Sequence, residues 1–321
     1  SDYVTIRNCS LSNNAYGVYV YGYYQAMSYI NVTNNTAMNN RYGLYFYGAS
    51  SNRFDHVKID NNSVGDIKYD GIYLYYSRYS FIHNNTVYNT QSEGIYSYYF
   101  DNGEISNNLV HNGTTYGYYL RGTKSNFHNN TIADHKDDYG IYLYYLTYSK
   151  IHNNNIIRGL AYGARLYYAD YNVIYNNTAY DTYKSSFYFY YADYNEIFNN
   201  SVYDSKWEGF DFYGANNNYI HNNTFKDCGI YFSSTSYLSG NTFDDTNLMN
   251  GKPFMIVDSQ SYVTIPSTVG NVFIYNSDHI TIANASLTSV QIRSSSYITL
   301  ENCSFNGGGA GGKGGGVILG A

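Results

Sequence analysis

A repeat of 23 residues constrains this chain more than any other feature of its sequence. One unit reads DGIYLYYSRYSFIHNNT over residues 70–86, and another reads YGIYLYYLTYSKIHNNN over residues 139–155. A glycine, replaced once by Ser186, opens each unit, and from Gly71 to Gly209 the spacing is 23 residues at every step. Units of this kind bury their apolar side chains by stacking on their neighbours, so the chain is expected to grow as a solenoid.

The alternation inside each unit predicts strands. After Gly71 the apolar Ile72 and Leu74 alternate with Tyr73 and Tyr75, which places the two pairs on opposite faces of a strand. Two more short apolar runs lie on either side of a pair of asparagines. The sequence therefore predicts an all-β fold, a single three-faced parallel β-helix over residues 1–306 with about 13 rungs of about 23 residues. Residues 307–321 are predicted to form a separate glycine-rich C-terminal tail, either a linker or a segment packed on a neighbour.

Paired asparagines mark one bend of each unit. Asparagine tolerates the left-handed backbone of a sharp corner, and its amide can bond to the equivalent amide one rung away, forming a ladder. Twelve Asn-x-Ser/Thr sequons occur, and we interpret those at the paired bends as buried ladder residues that cannot carry a glycan. Asn8 and Asn302 take ladder-like positions as well. The predicted glycosylation candidates are therefore Asn31 and Asn112.

Tyrosine is the outlier in composition, with 46 residues against 16 Phe, and most of it follows from the outward positions of the repeat. The tyrosines line up in two near-continuous columns, a surface that could bind sugars or the same surface of another subunit. Lateral packing between subunits is the favoured interpretation. The interface residues predicted on this surface are Tyr73, Tyr75, Tyr142, Tyr144, Tyr188 and Tyr190.

The two ends of the predicted β-helix have nearly the same sequence, DYVTIRNCSLSN at the first rung and SYITLENCSFNG at the last. Cys9 and Cys303 take equivalent positions at opposite ends, where they could meet only in a head-to-tail stack of subunits. Such a contact between unlike surfaces propagates into a filament. The predicted end interface consists of Tyr3, Val4, Ile6, Cys9, Ile298, Leu300 and Cys303.

Catalytic and metal-binding patterns are weak. The adjacent acids Asp137-Asp138 and Asp244-Asp245 are the clearest acidic pairs, but neighbouring side chains on a strand point to opposite faces and cannot act as one acid/base pair. The repeated histidines His83, His128, His152 and His221 are expected two or three rungs apart, too far to share one ion. The sequence predicts no catalytic residue, metal or cofactor.

Charge and hydropathy limit the partners. Charged residues make up 13% of the chain, the formal net charge is −6, and basic residues form no block, which disfavours nucleic acid. No apolar run reaches the length of a membrane-spanning helix, so membrane insertion is not expected.

The DGIYLYYSRYSFIHNNT repeat resembles the right-handed parallel β-helix repeats of archaeal cell-surface proteins and of periplasmic copper-site-maturation proteins, over residues 1–306. The resemblance implies a right-handed parallel β-helix. It is specific for fold, because such repeats occur in lyases, epimerases, adhesins and surface-layer components alike.

These features together predict an extracellular or cell-surface structural subunit with a processed N-terminus. It would assemble with copies of itself into a sheath, surface layer or fibre, through head-to-tail and lateral contacts. The alternative is a carbohydrate-binding adhesin or a protein related to polysaccharide lyases, with glycans as partners.

Overall fold

The computed structural model describes residues 2–159, 161–306 and 316–320. Each turn of the chain adds one strand to each of three parallel sheets, so strands that are neighbours in a sheet lie one repeat apart in sequence. The one helix among the described residues is short, Thr235–Ser239, and begins after Ser234, whose side chain accepts a hydrogen bond from the Ser236 N–H. No helix in these ranges is long and apolar enough to cross a membrane.

The strands of the N-terminal coils follow the order of the repeat. The first sheet consists of Thr5–Arg7, Asn31–Thr33, Lys58–Asp60, Phe81–His83, Glu104–Ser106, Asn126–His128, Lys150–His152, Val173–Tyr175, Glu196–Phe198, Tyr219–His221 and Thr242–Phe243. The third sheet begins with Thr36–Met38, Ser63–Ile67, Thr86–Thr90, Leu109–His111, Thr131–His135, Asn155–Gly159, Thr178–Tyr180, Ser201–Tyr203, Thr224–Lys226 and Leu248–Met249.

The second sheet closes each coil between the third sheet and the first sheet of the next coil. It carries the longest strands of the repeat, which begin with the GIYL motif. Its members are Tyr16–Tyr21, Met27–Ser28, Tyr42–Tyr47, Phe54–Asp55, Ile72–Arg78, Ile95–Asp101, Tyr118–Thr123, Ile141–Tyr144, Ala164–Tyr167, Phe187–Tyr190, Phe210–Tyr213 and Ile230–Phe232.

The C-terminal coils are shorter and run in the opposite strand direction. The reversal occurs where Leu248–Met249 pairs antiparallel with Lys252–Asp258. The third sheet then continues through Asn271–Tyr275, Ser289–Arg293 and Gly316–Gly320, all parallel to Lys252–Asp258. Two small sheets complete these coils, one of Thr264–Ile265, Asp278–Ala283 and Ser296–Glu301, the other of Ser286–Leu287 and Ser304–Phe305.

The C-terminal part of the third sheet covers the end of the N-terminal coils. One of its faces packs into a separate apolar cluster, and the other brings Phe273 to 5.3 Å from the ring of Phe232. Gln291 donates to the Ile230 carbonyl at 2.6 Å, and Arg293 donates to the Phe232 carbonyl at 3.0 Å. The last backbone groups of the second sheet are thereby paired and hidden from water, as a solenoid end requires.

The core contains the side chains that alternation assigned to the inside. Ile72, Leu74, Ile82 and Val87 of one coil are all fully buried. About five such residues per coil contribute about 10 kcal/mol, which one isolated coil would lose again in backbone entropy. The stacking is close at the opening glycine, because a Cβ on Gly94 would lie 2.6 Å from the Gly117 carbonyl oxygen.

The two asparagines of each pair have different positions in the bend: one is buried and the other is exposed. This corrects our prediction that the sequon asparagines are buried. The second asparagine is the buried ladder residue, as at Asn85, whose amide donates to Asn108 at 2.9 Å. The first asparagine has a left-handed backbone and an exposed side chain, as at Asn84 with φ 55°. The sequons begin at this first residue, so it was wrong to treat them as buried ladder positions. The exposed, left-handed sequon asparagines are Asn8, Asn34, Asn61, Asn84, Asn112, Asn129, Asn176, Asn199, Asn222, Asn284 and Asn302.

The prediction of an all-β parallel β-helix with about 13 turns, an asparagine ladder and outward tyrosine columns is confirmed. The domain boundary after residue 306 stays a prediction. Residues 307–315 of the glycine-rich segment lie outside the described residues, whereas Gly316–Gly320 pairs with Ser289–Arg293 of the same chain.

Candidate functional site

The outward side of the second sheet forms the most distinctive surface of the molecule, which we call the tyrosine face. Two columns of side chains run along it, one from the second and one from the fourth position after the opening glycine. The inner column contains Tyr19, Tyr45, Tyr73, Tyr96, Tyr119, Tyr142, Arg165, Tyr188, Asp211 and Tyr231. The outer column contains Tyr21, Tyr47, Tyr75, Tyr98, Arg121, Tyr144, Tyr167, Tyr190 and Tyr213.

Most rings of each column stack on one another along the axis of the β-helix, whereas Tyr119 and Tyr142 of the inner column meet edge to face at 5.1 Å. In the inner column the centroids of Tyr73 and Tyr96 are 4.7 Å apart and their planes differ by 1°. In the outer column Tyr167 and Tyr190 are 5.0 Å apart with planes differing by 4°. Because neighbouring rings cover each other's faces, this surface offers ring edges and phenol hydroxyls to a ligand.

Two arginines interrupt the columns and are surrounded by rings. The Arg121 guanidinium lies 4.8 Å from the centroid of Tyr98 and 5.5 Å from that of Tyr144, its neighbours above and below. Arg165 lies 5.5 Å from both Tyr142 and Tyr188, and its buried Nε has no hydrogen-bond partner among the described residues. Each guanidinium continues the stack through cation–π contacts and adds a positive charge to the face.

The inner hydroxyls are partly enclosed by their neighbours. Burial, reinforced by neighbouring tyrosines, raises the pKa of Tyr45 and Tyr142 to about 12 and holds the pKa of Tyr73, Tyr96 and Tyr119 further above the usual value. These phenols therefore stay protonated at neutral pH. Each can donate one hydrogen bond and accept another.

A row of acids and tyrosines borders the inner column, at the position before the opening glycine. Asp70 and Glu93 meet there in adjacent coils, where the Glu93 N–H donates to the Asp70 carboxylate at 3.3 Å. Burial, and then the side-chain hydrogen bond to Glu93, raises the pKa of Asp70 to about 8, so this pair holds a proton near neutral pH. In the same row the Tyr116 hydroxyl bonds to Asp138, whose own pKa is raised mainly by burial.

The predicted site residues fall into two groups in the structure. Tyr73, Tyr75, Tyr142, Tyr144, Tyr188 and Tyr190 come together on the tyrosine face. The predicted end residues lie apart from it. Tyr3, Val4, Ile6 and Cys9 are on the first coil, and Ile298, Leu300 and Cys303 are in or just after Ser296–Glu301, the last strand of a small C-terminal sheet. Cys9 and Cys303 are both half-buried free thiols, and each bonds to the carbonyl two residues before it.

The remaining candidates are scattered. Asn31 is half-buried in a first-sheet strand, while Asn112 is exposed at a left-handed corner after the third sheet. The expected spacing of the histidines was wrong for one pair, because His128 and His152 lie in adjacent coils with centroids 4.8 Å apart. Within residues 2–159, 161–306 and 316–320, no three His, Cys, Asp or Glu side chains are placed to hold a metal ion.

Sequence reasoning missed the Asp70–Glu93 pair. It considered only acids adjacent in sequence, Asp137-Asp138 and Asp244-Asp245. Two acids that are adjacent in sequence point in different directions from the backbone, whereas two acids one repeat apart lie side by side in neighbouring coils. The signal was nevertheless present, because Asp70 and Glu93 both precede an opening glycine and are separated by one 23-residue repeat.

Comparison with known proteins agrees with this architecture. The family model described as "Right handed beta helix region" matches residues 1–132, 70–206 and 169–286. Among solved structures, the mannuronan C-5 epimerase AlgE4 A-module of Azotobacter vinelandii has a TM-score of 0.56 at 12% identity, covering 91% of this chain and 75% of that chain. A mutant tailspike protein of E. coli bacteriophage HK620, solved in complex with pentasaccharide, has a TM-score of 0.53 at 10% identity, covering 92% and 62%.

At these identities the similarity concerns the fold. Another structure of that tailspike, with a TM-score of 0.48 at 11% identity, is covered over 60% of its length. No curated protein sequence matches the chain. The narrower resemblance to archaeal cell-surface and copper-site-maturation proteins stays a prediction. The family match extends from residue 1 to residue 286, and the chain belongs to the right-handed β-helix family.

Proposed function

We propose that the protein binds extended carbohydrate chains along its tyrosine face, outside the cell or at the cell surface. The observation that supports this proposal is the row of stacked tyrosines on the tyrosine face, because burial of the core does not require aromatic residues on the outward side. The inward side of the second sheet already buries its apolar residues, yet the outward side exposes stacked aromatic rings over nearly every coil. Continuous aromatic surfaces of this extent commonly serve binding.

The chemistry of the face suits a sugar polymer. Protonated phenols can both donate to and accept from sugar hydroxyls, and ring edges give apolar contact beside each hydroxyl. The bordering acids and the guanidiniums of Arg121 and Arg165 add charged hydrogen-bonding groups. Identical groups recur about every 4.8 Å along the axis, so a long chain meets many of them at once.

The comparisons support this proposal over subunit assembly. The epimerase is named for a polysaccharide, mannuronan, and the tailspike mutant was solved with a pentasaccharide. Both are similar to this chain in fold. A shared fold alone does not establish a shared ligand, so the direct evidence for carbohydrate binding by this chain is the chemistry of the tyrosine face.

Affinity electrophoresis through gels containing soluble neutral and acidic polysaccharides tests the proposal. We expect at least one polymer to retard the protein, and the double variant Tyr96→Ala/Tyr119→Ala to bind about tenfold more weakly, because two aromatic contacts of about 0.5–1.5 kcal/mol are removed. The matched control is Tyr180→Ala/Tyr203→Ala on the third sheet. Equal losses in both variants, or no retardation of the wild type by any polymer, would refute the proposal.

A second candidate function is assembly of subunits end to end, favoured by one observation. The strand Thr5–Arg7 at one end and the strand Ser296–Glu301 at the other share their local conformation, since Tyr3 and Tyr297 have φ of 60° and 54° and Asn8 and Asn302 have φ of 57° and 50°. Tyr3 and Tyr297 are 77% and 74% exposed, and each is the outermost ring of a stack. A second copy could continue both stacks.

Sedimentation velocity over a range of concentrations tests this end-to-end contact: assembly should weaken in Tyr297→Ala, which loses the outermost ring of one stack, and persist in the control Tyr183→Ala, an exposed tyrosine far from both ends. A wild-type chain that stays monomeric at high concentration would exclude this function and leave carbohydrate binding unaffected.

A further inference from the structure

The bend between the first and third sheets carries a row of sequon asparagines. Seven paired bends have an Asn-Asn-Ser/Thr sequence, and in every one the first asparagine is exposed with a left-handed backbone. Asn129, Asn176 and Asn199 make no side-chain hydrogen bond among the described residues. Their amide nitrogens are therefore accessible and unengaged.

The hydroxyl residue two positions later has no visible structural purpose. It begins the third-sheet strand with its side chain outward, and the hydroxyls of Thr86, Thr131 and Thr178 form no hydrogen bond within the described parts of the chain. The next outward position of the same strand varies freely among types as different as Gly65, Tyr88 and Lys226. Folding alone would allow the same variety at the hydroxyl position.

We infer that this edge is an N-glycosylation edge, with oligosaccharides attached to the sequon asparagines of the paired bends. Attachment requires an oligosaccharyltransferase and a lipid-linked oligosaccharide as co-reactant. The asparagine nitrogen forms a bond to the anomeric carbon, the bond from that carbon to the lipid phosphate breaks, the lipid phosphate leaves, and the amide proton passes to a base of the enzyme. Asn-x-Ser/Thr is the acceptor sequence for this reaction.

The position of the edge keeps it clear of the tyrosine face. Each coil passes from the first sheet through the sequon bend to the third sheet, and only then to the second sheet. In a three-sided cross-section the bend is the corner opposite the second sheet. Glycans on this corner would leave the tyrosine face open, so the inference stands whether or not that face binds carbohydrate.

The spacing of the sequons along the edge predicts which asparagine should be glycosylated most completely. Adjacent bends are about 4.8 Å apart, closer than two attached sugars can lie side by side. Asn199 has sequons in both neighbouring coils, at Asn176 and Asn222. Asn129 has none, because the neighbouring bends read Asn107-Asn108-Leu109 and Asn153-Asn154-Asn155. Occupancy should therefore be highest at Asn129.

Glycopeptide mapping by mass spectrometry tests the inference on protein purified from the cells that make it, before and after enzymatic removal of N-glycans. We expect modified peptides from the edge, with at least twofold higher occupancy at Asn129 than at Asn199, and unmodified Asn107 and Asn153. Two variants expressed in the same cells sharpen the result. Thr131→Ala should abolish modification at Asn129. Leu109→Thr, made together with Thr86→Ala and Thr131→Ala so that both neighbouring sequons are removed, should create it at Asn107, a bend of the same geometry.

Recovery of the Asn129 and Asn84 peptides only in unmodified form would overturn the inference. So would modification of Asn107 in the wild type, because it would mean that the hydroxyl residue is irrelevant. A Thr86→Ala/Leu109→Thr/Thr131→Ala variant that folds but gains no glycan at Asn107 would equally count against the edge as an acceptor site. Circular dichroism of each variant establishes that it folds.

Discussion

Single residues at the corners of the coil adopt conformations that their type disfavours. Tyr148, Tyr171 and Tyr194 have φ between 51° and 59°, a left-handed backbone that is uncommon for a bulky side chain. Their rings stack at 5.0 and 4.8 Å. A ring contact stabilises by about 0.5–1.5 kcal/mol, similar to the cost of about 1–2 kcal/mol for the left-handed backbone. Stacking with the adjacent coils thus explains how tyrosine can replace asparagine at these corners.

The Asp70–Glu93 pair should make stability fall as pH rises. The folded pKa of Asp70, about 8, lies above its unfolded value, so the folded chain binds more protons between about pH 4 and pH 8. Between pH 5 and pH 8 the free energy of unfolding, measured with urea, should fall by about 1–3 kcal/mol more in the wild type than in Asp70→Asn. The variant lacks the ionising carboxyl, whereas the histidines that titrate in this range are the same in both proteins and cancel in the comparison. The exposed Asp137→Asn serves as control, and an unchanged pH profile in Asp70→Asn would show that the pair does not hold the proton.

At the scale of the structural element, the ladder connects coils through side chains as well as backbone. Asn154 donates to Asn177 at 2.9 Å and accepts from Asn130 at 3.1 Å, entirely out of contact with water. A ladder of this kind must be complete, because each missing amide leaves buried polar groups unpaired on both sides.

Adjacent asparagines of one bend should therefore respond differently to substitution. Asn154→Ala should lower the free energy of unfolding by about 2–4 kcal/mol, since it orphans several buried groups. Asn153→Ala, at the exposed left-handed corner, should lower it by only about 1 kcal/mol. Urea denaturation of both variants measures this contrast. Equal destabilisation would mean that the ladder contributes nothing beyond the bend geometry.

Prediction from sequence succeeded where the repeat alone determines the outcome. The period of 23 and the alternation after Gly71 are sufficient for three strands per coil and for the outward tyrosines. It failed where two neighbouring residues share a bend, as at Asn84 and Asn85, because composition does not tell which of the two turns inward. It also missed a second ladder, Asn172, Asn195 and Asn218, at the bend before the first sheet. Asn172 and Asn195 each follow a tyrosine in the sequence and do not form an Asn-Asn pair, so they are inconspicuous.

At the scale of the whole molecule, the reversal after Met249 was not predictable from the repeat. The sequence shows only that the 23-residue repeat becomes irregular near residues 247–254. The structure shows that the third sheet reverses its strand direction there through an antiparallel pair. The C-terminal coils then cover Phe232 and the last backbone groups of the second sheet. The sequence predicted one continuous stack of coils, but the structure has two stacked parts whose strands run in opposite directions.

Breaking the contact between the two parts should have a local effect. Gln291→Ala/Arg293→Ala removes the hydrogen bonds to the carbonyls of Ile230 and Phe232, and a solenoid transmits such a loss mainly to adjacent coils. Hydrogen-exchange mass spectrometry should find faster exchange in residues 225–305 and unchanged exchange in residues 60–200. Uniformly faster exchange along the chain would indicate one cooperative unit instead.

The close register of the coils has a further consequence for how such a protein can change over generations. With Gly94 set against Gly117 and ladder amides bonded coil to coil, any inserted unit must carry the opening glycine, the inward apolar positions and the ladder asparagine to fit. Insertion or deletion of one complete unit, however, preserves every column at once. Duplication within the gene can therefore alter the reach of the molecule in steps of about 4.8 Å while its three surfaces keep their chemistry.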